Sequence, residues 1–400
     1  MQKSLLACAM ISAFAMAGAA QAASVELYGT VDTGLLYTHE SVDADVNGTN
    51  VINEDDDRWG MESGIGTSSV IGVRGTEEIT DSLSVSFVLE HSFASDTGAS
   101  DDDSHFFDKE SQVSISGTAG TLSLGRMGAL TAGEGTYDLF MATGDAMDGG
   151  YVDYIGAGYW MDRGIYDNTV TYQSPEFAGF TLYAQYSLGV EGDDSLPSRD
   201  KTRYGAIGLG YTAGNFSMAV VGDTIFKNRN IGEAYRGDAI DDAMSISVGM
   251  NYDFGIAKPF IGFQYGKHEE TIGGYDFTAD ADLAGMAISD TAGSYGDFDG
   301  YAVAVGSAFP VMGGELQVSV YYADGDGTLY GFDGDLTDSI KADVTRYGVG
   351  VFHNYELSKR TSLYGAVGYD HQEVDYTYGV DQGNVERDGV QVGVGITHNF

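Results

Sequence analysis

Apolar and polar residues alternate along most of this chain. In the segment 83–90, Leu83, Val85, Phe87 and Leu89 share one face, and Ser84, Ser86 and Glu90 fall mainly on the other. Ile246, Val248, Met250 and Tyr252 oppose Ser245, Ser247, Gly249 and Asn251, and Leu316, Val318, Val320 and Tyr322 oppose Gln317 and Ser319. The last stretch sets Val390, Val392, Val394, Ile396, His398 and Phe400 against Gln391, Gly393, Gly395 and Thr397. Successive side chains of an extended strand point to opposite faces, so this period of two predicts strands dividing an apolar from a polar environment. Sixteen are expected: 25–37, 67–75, 82–93, 106–117, 120–127, 166–174, 178–190, 201–212, 215–225, 243–253, 257–268, 298–309, 314–324, 343–355, 359–370 and 388–400. An even number of antiparallel strands suits a single-chain transmembrane β-barrel.

The connectors strengthen that expectation. Short turns, such as 117–120, 212–215 and 356–360, alternate with long acidic stretches at 38–66, 94–105, 128–165, 225–242, 269–297 and 371–387. Short turns on one side and long loops on the other are the arrangement of a membrane barrel. No segment offers the roughly 18 uninterrupted apolar residues of a membrane helix.

Residues 1–22 read as a cleaved secretory signal, with Lys3, an apolar stretch from Leu5 to Ala17, and Ala20-Gln21-Ala22 before the expected cut. Residues 23–400 then form one barrel domain. The only cysteine, Cys8, lies within that signal, so no disulfide framework is expected. Leu5-Leu6-Ala7-Cys8 resembles a lipoprotein box, but a cut there would leave almost no signal core. The 58 Gly, 27 Tyr and 19 Phe suit turns and pleated, half-buried walls better than helices. With 19 Lys and Arg against 60 Asp and Glu, the formal charge of −41 argues against a nucleic-acid partner. It favours cations, whether permeating or bridging the chain to lipopolysaccharide.

Four segments carry a family resemblance: Val25–Gly34, Ile71–Glu78, Asp167–Phe180 and Gly395–Phe400. Together they resemble the trimeric general porins of Gram-negative bacteria, closest to the neisserial and related proteobacterial type. The resemblance implies an all-β, 16-stranded antiparallel transmembrane barrel in the outer membrane, a homotrimer, and a long third loop folded into the pore. It implies a water-filled channel for ions and small hydrophilic solutes, with no enzyme activity and no cofactor. It also implies a narrow eyelet in which loop acids face basic residues of the wall.

On that reading the third loop offers Glu134, Asp138, Asp145, Asp148 and Asp153, with Arg163 its only basic residue. The candidate wall residues are Arg74, Arg126, Arg346, Asp32 and Gln173. Arg126 shares parity with Leu122 and Leu124, so only a bend or bulge would turn it inward. Val70 stands where the family pattern has a wall arginine, and Thr171 and Gln173 stand at positions basic in some relatives. An acidic loop facing a depleted basic wall predicts a cation-preferring pore. Phe400, with His398 two residues before it, matches the family's terminal signal for the outer-membrane assembly machinery.

Two other readings bear on the same residues. A substrate-specific channel, for sugars for example, would use an aromatic track, for which Tyr137, Phe140, Tyr151, Tyr154, Tyr159 and Trp160 are available. A barrel hydrolase lacks support: neither HExxH nor GxSxG occurs, although His91 and His105 flank an acidic loop. The acidic runs Glu54–Asp57, Asp101–Asp103 and Asp241-Asp242 lack calcium-loop spacing, and no metal is expected there.

Overall fold

A computed structural model describes residues 24–140, 163–191, 197, 200–228, 241–271, 294–331 and 339–400. The expected signal, Asp145, Asp148 and Asp153, and the loop aromatics Tyr151, Tyr154, Tyr159 and Trp160 lie outside the described residues. Among those described there is no α-helix, and the alternating segments form seventeen antiparallel strands. They are β1 (Ser24–Val46), β2 (Thr49–Ser63), β3 (Val70–Thr80), β4 (Leu83–Ser92), β5 (Glu110–Gly117) and β6 (Gly120–Gly128). There follow β7 (Ile165–Gln173), β8 (Phe180–Ser187), β9 (Arg203–Ala213), β10 (Phe216–Phe226), β11 (Ala243–Tyr252) and β12 (Lys258–Glu269). The last five are β13 (Ser294–Val311), β14 (Gly314–Gly331), β15 (Ser339–Ser358), β16 (Thr361–Tyr378) and β17 (Asp381–Asn399).

The barrel nevertheless has sixteen staves. β3 pairs with the first part of β1, Thr30 opposite Val70, and β2 pairs with the rest, Thr33 opposite Ser63. They are two lengths of one stave, interrupted at 64–69. β1 also pairs along its other edge with β17, Thr30 opposite Asn399, which closes the sheet.

The stretch expected as the loop 38–66 is therefore mostly strand. β1 runs on to Val46 and turns through Asn47 and Gly48, both at positive φ (52° and 75°). Two such residues form the two-residue hairpin turn whose twist matches the flanking strands. Met312 and Gly313 repeat it between β13 and β14, at 54° and 78°.

Burial follows the predicted alternation. Ser245 and Ser247 turn inward while Ile246 is 46% exposed, and Leu122, Leu124, Ile261, Val320 and Val394 are likewise exposed. Large apolar side chains exposed in rows around a closed sheet face lipid. Aromatic residues cluster at the periplasmic strand ends: Phe180 meets Tyr211 at 4.3 Å, and Tyr252 meets Phe254 at 4.5 Å. Tyr37 meets Trp59 at 4.9 Å toward the other end. Such girdles mark the two membrane interfaces.

The wall is uneven. β4 to β8 have 8–10 residues each, roughly 27–34 Å at about 3.4 Å per residue. β13 to β17 and β1 have 18–23 and rise well beyond the membrane. The third loop leaves from the low side, at the end of β6.

At the seam, the terminal Phe400 exchanges backbone hydrogen bonds with Gly29, at 3.0 and 3.3 Å. A Cβ on Gly29 would lie 2.5 Å from the Phe400 ring, so only glycine lets that ring rest on β1. Inside the seam, Ile65 of the stave interruption is fully buried against Leu36, Phe352, Tyr364 and Ala366, all on inward-facing positions.

Candidate functional site: the lumen wall and the third loop

The inner wall is polar over much of its circumference. The inward rows include Thr30 and Asp32 of β1, Glu90 of β4, Glu110 and Gln112 of β5, and Ser123 of β6. They continue through Thr171 of β7, Gln185 of β8, Asp223 of β10 and Ser247 of β11 to Gln264 of β12, and resume at Asp370 and Gln372 of β16; between them the inward face of β13 to β15 is largely apolar, with Phe298, Ala302, Ala304, Ala323, Ala342 and Val344 in one cluster.

The described first limb of the third loop, 129–140, lies against this wall. The Thr136 amide and hydroxyl both donate to the Glu110 carboxylate at 2.7 Å. Gln112 donates Nε2 to Thr136 Oγ1 at 3.0 Å, and the Tyr137 hydroxyl pairs with Ser123 Oγ. Gln185 donates to the Gly128 carbonyl at 3.0 Å where β6 ends. Leu130, Tyr137 and Phe140 are buried with Met127, Tyr204, Ala206, Ala219 and Val221. Two of the candidate track aromatics, Tyr137 and Phe140, therefore pack the limb onto β9 and β10. Glu134 accepts from Lys109 Nζ at 2.6 Å, and Asp138 is half-buried in the same limb.

The wall candidates fall in separate places. Arg74 shares the inward face with Glu26 and Tyr28 at the periplasmic end. It pairs with Glu26 at 2.9 Å and sits 4.7 Å from the Tyr28 ring centre. Arg346 is inward and almost fully buried. Its Nε donates to Asp370 Oδ2 at 2.9 Å, the Tyr321 hydroxyl donates to the same oxygen, and Gln372 donates to Oδ1 at 2.6 Å.

Arg126 keeps the lipid-side parity of Leu122 and Leu124. A bulge does occur beside it, between Gly125 and Met127, but the extra residue is on β7, where Asn168 takes φ 52°. The Arg126 guanidinium donates to the Asp108 carbonyl and to Asp167, both at 2.8 Å.

Gln173 is inward near the periplasmic end of β7, 3.4 Å from the Tyr183 hydroxyl. Asp32 is inward but wholly covered. Its carboxylate accepts from Tyr364 at 2.8 Å, Thr397 at 2.5 Å and the Gly66 amide at 3.2 Å, which fastens segment 64–69 to the seam. His398 faces Thr361 Oγ1 at 2.9 Å beside the terminal Phe400.

Several participants escaped sequence reasoning. Glu90 and Glu110 stand opposite one another on β4 and β5, and Glu90 accepts the Tyr28 hydroxyl at 2.8 Å. Parity with Gln112 and Ser114 already carried the signal for Glu110. Asp223 and Glu269 meet Arg163 from distant strands, which no local pattern reveals. Beyond β10, Lys227 donates Nζ to the His268 carbonyl at 2.5 Å. Burial pulls its ammonium below the ordinary lysine range, while Glu270, Glu269 and Asp297 oppose that shift. In the external loop 94–109, hydrogen bonds from Ser104 and His105 hold Asp102 well below the ordinary carboxylate range. His91 pairs with Asp108 at 2.8 Å, and His105 with Asp102 at 2.7 Å. Among the described residues no group of three or more His, Cys, Asp or Glu side chains is arranged to hold a metal ion.

A closed barrel with an inner wall polar over much of its circumference, a lipid-facing exterior and a loop limb on that wall forms a channel. The family model described as Gram-negative porin matches residues 7–376. The chain belongs to the Gram-negative porin family. Relatives within this porin family include outer membrane porin protein 32 of Delftia acidovorans, 31% identical over the full length of both chains. An outer membrane porin protein of Bordetella pertussis is 30% identical, again over both full lengths. The major outer membrane protein P.IB of Neisseria meningitidis is 26% identical. Among solved structures, an anion-selective porin from Comamonas acidovorans superposes with a TM-score of 0.60. It is 24% identical and covers 95% of this chain and 100% of its own. This porin is accordingly an outer-membrane channel protein and not an enzyme.

Proposed function

We propose that this porin is a general diffusion channel for small hydrophilic solutes that prefers cations, and that it works as a homotrimer in a lipopolysaccharide-bearing outer membrane. The observation that carries the reading is the pairing of basic residues around the lumen. Arg74 faces Glu26, Arg346 faces Asp370, Arg163 faces both Asp223 and Glu269, and Lys109 faces Glu134. These four cations are matched by five carboxylates, and the inward Asp32, Glu90 and Glu110 add to the negative side.

In a narrow, poorly screened lumen such an excess attracts cations and repels anions. The third loop adds the acids Glu134, Asp138, Asp145, Asp148 and Asp153 to the negative side. Asp32 contributes from beneath segment 64–69, while Arg74 and Gln173 act at the periplasmic mouth. Arg126, on the lipid side, adds little to the lumen. The solved neighbour described as anion-selective shares the fold, and the paired arginines are the reason to expect the opposite preference here.

The terminal Phe400 and the adjacent His398 serve as the mark read by the outer-membrane assembly machinery. The test is planar-bilayer recording of purified protein. Insertion in three equal conductance steps and a zero-current potential of the sign for potassium support the reading. A single step per insertion, or a chloride preference, contradicts the corresponding part.

A further inference from the structure

We infer that Arg163 is a positioning residue that pins the end of the third loop, where it enters β7, to the inner faces of β10 and β12, and thereby sets a single steady open level. The inference rests on the pore reading above, with the third loop as the restricting element.

Arg163 stands two residues before β7 begins, yet its guanidinium is held by β10 and β12. Its Nε and Nη2 lie 2.9 Å from Asp223 Oδ1, and its Nη1 and Nη2 donate to the two Glu269 oxygens at 2.7 Å each. All three side chains are at most 4% exposed. β12 lies five strands from β7, roughly 24 Å around the wall at about 4.8 Å per strand. Only a chain segment inside the barrel brings Arg163 within reach of it. The Ala129 amide donates to the Gly164 carbonyl at 3.2 Å, so the outgoing and returning roots of the loop are joined at the same place.

The acceptor is aimed by a second, independent feature. Inward positions on β12 are even-numbered through Gln264 and Gly266, and the register then shifts between Gly266 and Glu269. His268 within that bulge takes φ 55°, a backbone conformation uncommon for residues other than glycine. Its amide donates to Asp299 at 3.0 Å and its Nδ1 faces Asp297 at 2.8 Å, which holds the bulge in place. Bulges re-aim side chains, and this one turns the odd-numbered Glu269 into the barrel.

A buried charge network is weak evidence for stability but a good device for fixing one arrangement among several. The two-pronged geometry requires a planar guanidinium, and an ammonium cannot reproduce it.

The test is single-channel recording of Arg163→Met, Arg163→Lys and Glu269→Gln, each first shown to be folded by circular dichroism and heat-modifiable gel migration. Glu269→Gln leaves Arg163 matched by Asp223, and with Arg163→Lys it carries the test should Arg163→Met fail to fold. All three are expected to spend at least about tenfold more time at sublevels than the parent, a shift of ~1.4 kcal/mol in the loop equilibrium. The potassium sign of the zero-current potential should persist. Folded variants as quiet as the parent overturn the proposal. A quiet Arg163→Lys beside a noisy Arg163→Met overturns the claim for the guanidinium fork. A parent pore without cation preference whose Arg163 variants still flicker refutes the selectivity reading and leaves the clamp standing.

Discussion

Replacing Asp32 with alanine should loosen the barrel at its seam. The carboxylate holds three elements together: Tyr364 of β16, Thr397 of β17 and the Gly66 amide of the interrupted stave. Hydrogen bonds to a charged group contribute roughly 1.5–3 kcal/mol each. Thr397 and Gly66 are only partly buried, and lumen water can replace their partner. Tyr364 is 5% exposed beneath Ile65, so its hydroxyl is left unsatisfied. Taken together these effects put the loss at about 3 kcal/mol. Asp32→Asn keeps one acceptor oxygen and should lose roughly half of that. The assay is urea unfolding of refolded protein in detergent micelles, followed by tryptophan fluorescence and gel migration. Tyr364→Phe supplies the cycle: it acts through the same bond, so the double variant should be less destabilised than the two single effects added. An Asp32→Ala barrel as stable as the parent, or strict additivity with Tyr364→Phe, would refute the account of the seam.

Two further outcomes follow from the same wall. Arg346→Gln leaves Asp370 uncompensated, so the zero-current potential should move further toward potassium while stability falls by roughly 3–5 kcal/mol; a move toward chloride would contradict the assigned field. Deleting Phe400 removes two backbone hydrogen bonds and the ring resting on Gly29, and should sharply reduce assembled trimer on semi-native gels; a normal trimer yield would count against its role in assembly.

The barrel was legible because its solvent environments are periodic. Lipid on one side and water on the other write themselves into every stave, and Ile246 between Ser245 and Ser247 shows the rule at work. The rule fails where a strand leaves the membrane. Above the bilayer both faces of β2 meet water, so Glu54–Asp57 carry no alternation and read as loop. It fails again at bulges. Parity placed Arg126 with Leu122 and Leu124, which is where it sits, off the wall face on which the family resemblance sets it. Parity could not place Glu269, because the register shift at His268 is set by contacts with Asp297 and Asp299 on the next strand. The Arg163 fork joins residues 60 and 106 positions apart, beyond the range of any local pattern. The acids of the third loop were visible from composition, but the partners of its basic residue were not.

The central claim is that paired arginines and surplus carboxylates make this pore cation-preferring. It is tested most directly by the zero-current potential of the purified parent protein across a planar bilayer in a potassium chloride gradient. The account predicts that the dilute side becomes positive, as potassium crosses faster than chloride. It predicts further that raising salt on both sides at a fixed ratio shrinks this potential, because screening weakens the lumen field. A dilute side that becomes negative, with chloride the faster ion, would contradict the account.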